Sequence, residues 1–129
     1  MKRKILFLDD KVFISEIIFF YFSKEYDVYY FKNPLEAIEW MKKKNIPDLI
    51  ISDIQMPEMD GEEFLHYIKT TDLYKCIPFI ILSEESDSTD RINLLKKGAV
   101  DFISKPFNPV ELKIKVDNLM KLYQPYYHD

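Results

Sequence analysis

Leu49-Ile50-Ile51-Ser52-Asp53-Ile54-Gln55-Met56-Pro57-Glu58-Met59-Asp60-Gly61 is the stretch on which the fold turns. Its first residues form a short apolar run without alternation, the pattern of a strand buried on both faces of a parallel sheet. Its second half, punctuated by Pro57 and Gly61, reads as a loop. Asp53 stands at the junction. A carboxylate at the exit of a buried strand serves as a metal ligand, a nucleophile or only a turn residue, and this stretch alone does not choose among them.

Outward from Asp53 the same alternation repeats. Ile5-Leu6-Phe7-Leu8 reads as a first strand, ended by Asp9-Asp10. A helix follows from Lys11 to about Ser23, with Ile14, Ile17, Ile18, Tyr21 and Phe22 on one face. Val28-Tyr29-Tyr30-Phe31 is a second strand. Asn33-Pro34-Leu35-Glu36 then supplies an N-cap, an N1 proline and a capping-box acid for a helix to about Lys44. Asp60 caps a helix to about Thr70. Phe79-Ile80-Ile81-Leu82 is a fourth strand, ended by Ser83, and a helix from about Thr89 to Lys97 stops at the C-cap Gly98. Phe102-Ile103 lies in a short fifth strand ended by Ser104-Lys105-Pro106, and Asn108 caps a last helix to about Tyr123. Five strands alternating with five helices imply an α/β domain over residues 1–123, its parallel sheet covered on both faces. Residues 124–129 read as a tail or the start of a linker.

Composition narrows the function. The 129 residues suit one domain, and 47% of them are apolar. A net charge of −4 offers no footprint for direct nucleic-acid binding. The single cysteine, Cys76, excludes an internal disulfide and fits a cytoplasmic setting. No apolar run approaches the roughly 18 residues of a membrane span, and the apolar residues after Met1-Lys2-Arg3-Lys4 are too few for a signal peptide. Gly61 and Gly98 are the only glycines, so neither a P-loop nor a Rossmann phosphate cradle can be built.

The strand ends carry the chemistry: Asp9-Asp10, Asp53, Ser83 and Lys105. In an open doubly wound sheet, ligands bind outside the carboxyl ends of the strands, so these residues converge in one crevice. Clustered carboxylates repel unless a cation lies among them. Their hard oxygens suit Mg²⁺, which keeps waters or phosphate oxygens in its octahedron. Lysine and serine supply a cation and a donor for an anionic oxygen. A carboxylate at the centre can itself be the nucleophile, forming an acyl phosphate.

With these residues in place, the sequence resembles the receiver domains of two-component response regulators over residues 3–123. The resemblance rests on Phe7-Leu8-Asp9-Asp10, Asp48 to Gly61, Pro78 to Ser83 and Lys97 to Phe107, in order and at receiver spacing. It implies a flavodoxin-like (βα)5 sheet with strand order 2-1-3-4-5. It implies that Asp53 accepts a phosphoryl group from a phosphohistidine of a sensor histidine kinase or phosphotransfer protein. Asp9, Asp10, Asp53 and the main-chain carbonyl of Gln55 would hold Mg²⁺, Lys105 would pair with phosphoryl oxygens, and Ser83 would shift to hydrogen-bond one of them. Phe102 falls at the aromatic switch position, turning inward when Ser83 moves, and a cis Lys105-Pro106 bond would aim Lys105 at the site. Such a chain is no enzyme beyond Mg-dependent self-phosphorylation and slow self-dephosphorylation. Its further partners would be a second copy or a downstream protein.

Three features depart from the family pattern. Glu84 stands where receivers usually carry a small residue, adding a negative charge beside the mouth of the phosphoryl site. Phe102 lacks the hydroxyl of the usual tyrosine. The first helix is apolar almost all round, with Val12, Phe13, Phe19 and Phe20 outside its core face, the pattern of a helix that is either buried or bound to a partner. No output domain follows the last helix, as in a single-domain receiver or a piece of a longer regulator or hybrid kinase. His66 and His128 belong to no motif and read as surface residues. A haloacid-dehalogenase-type phosphatase would need a second acid where Gln55 stands, and an FMN carrier would need a phosphate loop where Asp10-Lys11-Val12-Phe13 stands. Glu84 leaves one alternative, a degenerate receiver that only binds partners.

Overall fold

The computed structural model describes residues 2–84 and 88–123. The tail with His128, and Glu85 beside Glu84, lie outside them. The elements run β1 (Arg3–Leu8), α1 (Val12–Phe22), β2 (Tyr26–Phe31), α2 (Pro34–Lys42), β3 (Leu49–Asp53), α3 (Gly61–Thr70), β4 (Phe79–Ser83), α4 (Ser88–Lys96), β5 (Asp101–Ser104) and α5 (Pro109–Leu122). All strand pairs are parallel, in the order β2-β1-β3-β4-β5. The expected flavodoxin-like topology is therefore present.

Side-chain alternation along the strands divides the core in two. Leu6, Leu8, Ile50 and Ile81 pack on one face with Ala37, Met41, Phe64, Ile68 and Leu94, from α2, α3 and α4. Ile5, Phe7, Leu49, Ile51, Ile80 and Leu82 pack on the other with Ile18 and Phe22 of α1 and Leu112 and Val116 of α5. Residues 49–53 and 79–83 are buried throughout, as continuous apolar runs in a doubly covered sheet require.

β1 and β2 begin earlier than their apolar runs, because the register Arg3↔Tyr26 and Lys4↔Asp27 extends their pairing. Asn33 caps α2 by accepting from the Glu36 amide at 3.1 Å. The reciprocal half of the predicted capping box does not form there, since Glu36 is exposed and its carboxylate stays in water. The complete box closes at α3 instead, between Asp60 and Glu63.

Chain reversal in strand order places the loops after β1 and β3 side by side. The chain leaves β1 toward one edge through β2, then returns to build β3, β4 and β5 on the other side. The crevice opens at that reversal.

Candidate functional site

Asp53 ends β3 almost wholly buried, and its position is set by hydrogen bonds from its two chain neighbours. The Ile54 amide donates to Asp53 Oδ1 at 2.8 Å, and the Ser52 hydroxyl donates to the Asp53 carbonyl at 2.8 Å. Gly61 opens α3 directly against this turn. Its amide donates to the Ile54 carbonyl at 2.8 Å, and a Cβ at position 61 would collide with the Asp53 carbonyl oxygen and lie 2.8 Å from Ile54 Cα. Only glycine admits that approach.

Asp9, fully buried, follows β1. Its Oδ1 accepts from the Lys11 amide at 2.9 Å, and its carbonyl accepts from the Tyr30 hydroxyl at 2.7 Å. Lys105 enters from the end of β5, where its amide donates to the Ser83 carbonyl at 2.8 Å and its bond to Pro106 is cis. Its ammonium lies 2.7 Å from Asp9 Oδ2 and 3.2 Å from Asp53 Oδ2. Asp10 is exposed beside them. Asp9, Asp10 and Asp53 each bring a carboxylate oxygen within 4.8 Å of the other two.

The electrostatics follow from this crowding. Burial pushes the Asp53 carboxyl above its ordinary range, Lys105 pulls it back down, and Asp9 adds to the upward push. Among the described residues, Lys105 forms ion pairs with two of the three clustered carboxylates, Asp9 and Asp53, so the donor set fits a further cation. All the side-chain donors are hard oxygens, the set that Mg²⁺ takes. Asp10, Asp53, Ile54, Gln55 and Ser83, with Lys11 and Glu84, line a cleft of about 90 Å³ over this cluster.

Asp9, Asp10, Asp53, Gln55, Ser83 and Lys105 thus meet in one place, and Phe102 lies apart from them. Ser83 is buried at the end of β4, and Gln55 is exposed at the cleft. Phe102 is already inward, 4% exposed, packed into the core with the Arg91 guanidinium 5.9 Å from its ring centre. His66 is exposed on α3, away from these residues. Glu84, expected as a lone anion at the mouth, is instead paired: Lys11 Nζ donates to its Oε1 at 2.9 Å, which holds the Glu84 carboxyl below its usual range and raises Lys11. No local signal shows this pair, whose partners are 73 residues apart. Tyr30 and Gly61 also escaped the sequence reading. The first looks like one more strand aromatic and the second like an ordinary loop glycine.

The sequence profile described as the response regulator receiver domain matches residues 5–117. The regulatory protein VanRc of Enterococcus gallinarum is 32% identical over 129 residues, covering 99% of this chain and 54% of VanRc. Hybrid signal transduction histidine kinase D of Dictyostelium discoideum is 37% identical over 111 residues, covering 85% of this chain and 7% of the kinase. The chain therefore spans about half the length of the first relative and a small part of the second. The crystal structure of the signal receiver domain of a signal transduction histidine kinase from Syntrophus aciditrophicus superposes with a TM-score of 0.87 at 32% identity. It covers 98% of this chain and 96% of that one.

Proposed function

The chain belongs to the response regulator receiver domain family of two-component systems, and from that premise we propose that Asp53 is its phosphoacceptor, charged by a phosphohistidine of a sensor kinase or phosphotransfer protein. One observation carries the reading: the Lys105 ammonium bridges Asp9 and Asp53 while Asp9, Asp10 and Asp53 converge on one another.

In the transfer, an Asp53 carboxylate oxygen bonds to phosphorus as the P–N bond to the donor imidazole breaks. The imidazole keeps the electron pair and takes a proton from solvent. Asp9, Asp10, Asp53 and the Gln55 carbonyl would hold Mg²⁺, which when bound neutralises charge on the phosphoryl oxygens. The Ile54 amide and Gly61 keep Asp53 fixed, so that little reorganisation is left for the reaction. Lys105 balances the carboxylates before transfer and the phosphoryl oxygens after it. Ser83, reaching the same cleft, donates to a phosphoryl oxygen, and the resulting shift of the end of β4 alters the partner-binding surface, whereas Phe102 is already buried and needs no inward turn. Hydrolysis reverses the charging when water attacks phosphorus and the carboxylate leaves. The chain is a cytoplasmic signalling module rather than a metabolic enzyme.

The donor docks on α1. Phe13 and Phe20 are 59% and 80% exposed, with Val12 and Phe19 beside them. Phe13 also borders an apolar groove of about 500 Å³ that runs to Pro106, Phe107 and Pro109. Among the described residues no helix is long and apolar enough to cross a membrane. Intact mass after incubation with acetyl phosphate tests the reading: one phosphoryl group is expected with Mg²⁺, and labelling that proceeds unchanged in EDTA contradicts it.

A further inference from the structure

Lys11 and Glu84 leave two different strand ends, after β1 and β4, and meet in an ion pair of 2.9 Å. Both side chains line the small cleft over Asp53, and both also line the apolar groove between α1 and the Pro106-Phe107 segment. The pair is therefore the wall that the two hollows share. It is well exposed, at 45% and 67%, so it is held loosely enough to open without disturbing the fold.

We infer that Glu84 is a residue selecting the class of phosphodonor, and that it acts by holding the Lys11 ammonium across the mouth of the Asp53 cleft. The inference rests on Asp53 being the phosphoacceptor. A small donor such as acetyl phosphate arrives as an anion. It meets a neutral, closed pair where an unpaired Lys11 would attract it. A protein donor seated in the apolar groove touches the same two residues from the other side. Any charged group it carries competes for one of them and parts the pair. Glu84 thus lowers adventitious charging by small metabolites while leaving the wall open to a docked protein.

A double-mutant cycle tests this. Initial labelling rates by acetyl phosphate are measured at low ionic strength, with Mg²⁺, for the natural protein, Glu84→Gln, Lys11→Gln and the double variant. Glu84→Gln is expected to label about threefold faster, the size of effect that one unit charge exerts across several ångströms of water. The gain should fade as salt shortens the screening length. It should be smaller with phosphoramidate, which carries less negative charge. Lys11→Gln should slow labelling, and the gain from Glu84→Gln should be clearly smaller in that background, because only the direct charge of Glu84 is then removed. An equal gain with and without Lys11 would show Glu84 acting through its own charge and overturn the inference. So would the absence of any gain. Equal thermal midpoints for the four proteins are expected, and a shared loss of folding in the faster variant would also count against it. If none of the four is labelled, both the inference and the Asp53 reading fall. Labelling without a coupling between the two positions removes the inference alone.

Discussion

Asp53 carries its charge at a cost. It is buried beside Asp9, and its carboxyl is raised above the ordinary range because desolvation outweighs the help of Lys105. The folded state therefore binds more protons than the unfolded chain between the ordinary carboxylate value and the raised one. Stability is expected to fall as pH rises through that window and to stay lowered above it. Asp53→Asn removes the term. In EDTA at neutral pH the variant should melt higher than the natural protein, and should lose that pH dependence. Calorimetric melts at several pH values check it, and a lower midpoint for the variant would contradict it. Lys105 has the opposite role. Its removal strands two buried carboxylates, so Lys105→Ala should cost about 3 kcal/mol in urea unfolding without Mg²⁺.

The elements are positioned by close approaches at their ends, and Gly61 is the most exacting. α3 begins against the Asp53 carbonyl with no room for a Cβ. Gly61→Ala must push the helix from β3, and a loss of at least about 2 kcal/mol is expected, together with slower labelling because Asp53 moves with its carbonyl. Folding at natural stability would show that the junction yields more than its geometry implies. At α1 the expected effect is on recognition. Phe19→Glu should weaken transfer from a histidine phosphotransfer protein while leaving acetyl phosphate labelling unchanged, and equal loss of both would mean damage to the fold. The sequence made the elements legible because caps and periodicity are local. Asn33, Asp60 and Asn108 each accept from the first-turn amides of the helices they open. It left Gly61's function illegible because a clash with a carbonyl eight positions earlier depends on how α3 docks. It likewise hid the Tyr30 bond to the Asp9 carbonyl, which exists only once β2 pairs with β1.

At the scale of the whole molecule, the site was readable because the fold brings every strand's carboxyl end to one edge. Four acidic, hydroxyl or basic strand ends become a cluster as soon as the sheet is parallel. What the sequence could not give was pairing between loops. Glu84 read as a lone charge because Lys11 meets it only through the crevice. The sheet also couples the site to global stability. A cation bound among Asp9, Asp10 and Asp53 stabilises the folded state alone, so saturating Mg²⁺ should raise the midpoint of unfolding. At a hundred times its dissociation constant the gain is about 2.7 kcal/mol. Asp53→Asn should blunt that response.

The central claim is that Asp53 itself carries the phosphoryl group. Borohydride reduces an acyl phosphate to the alcohol, so treating the phosphorylated protein and sequencing its peptides by mass spectrometry locates the acceptor directly. The expected result is homoserine at position 53 and at no other aspartate, with none formed when Mg²⁺ is withheld. Homoserine at Asp9 or Asp10, or none at any aspartate in a protein that has gained phosphoryl mass, would contradict the account.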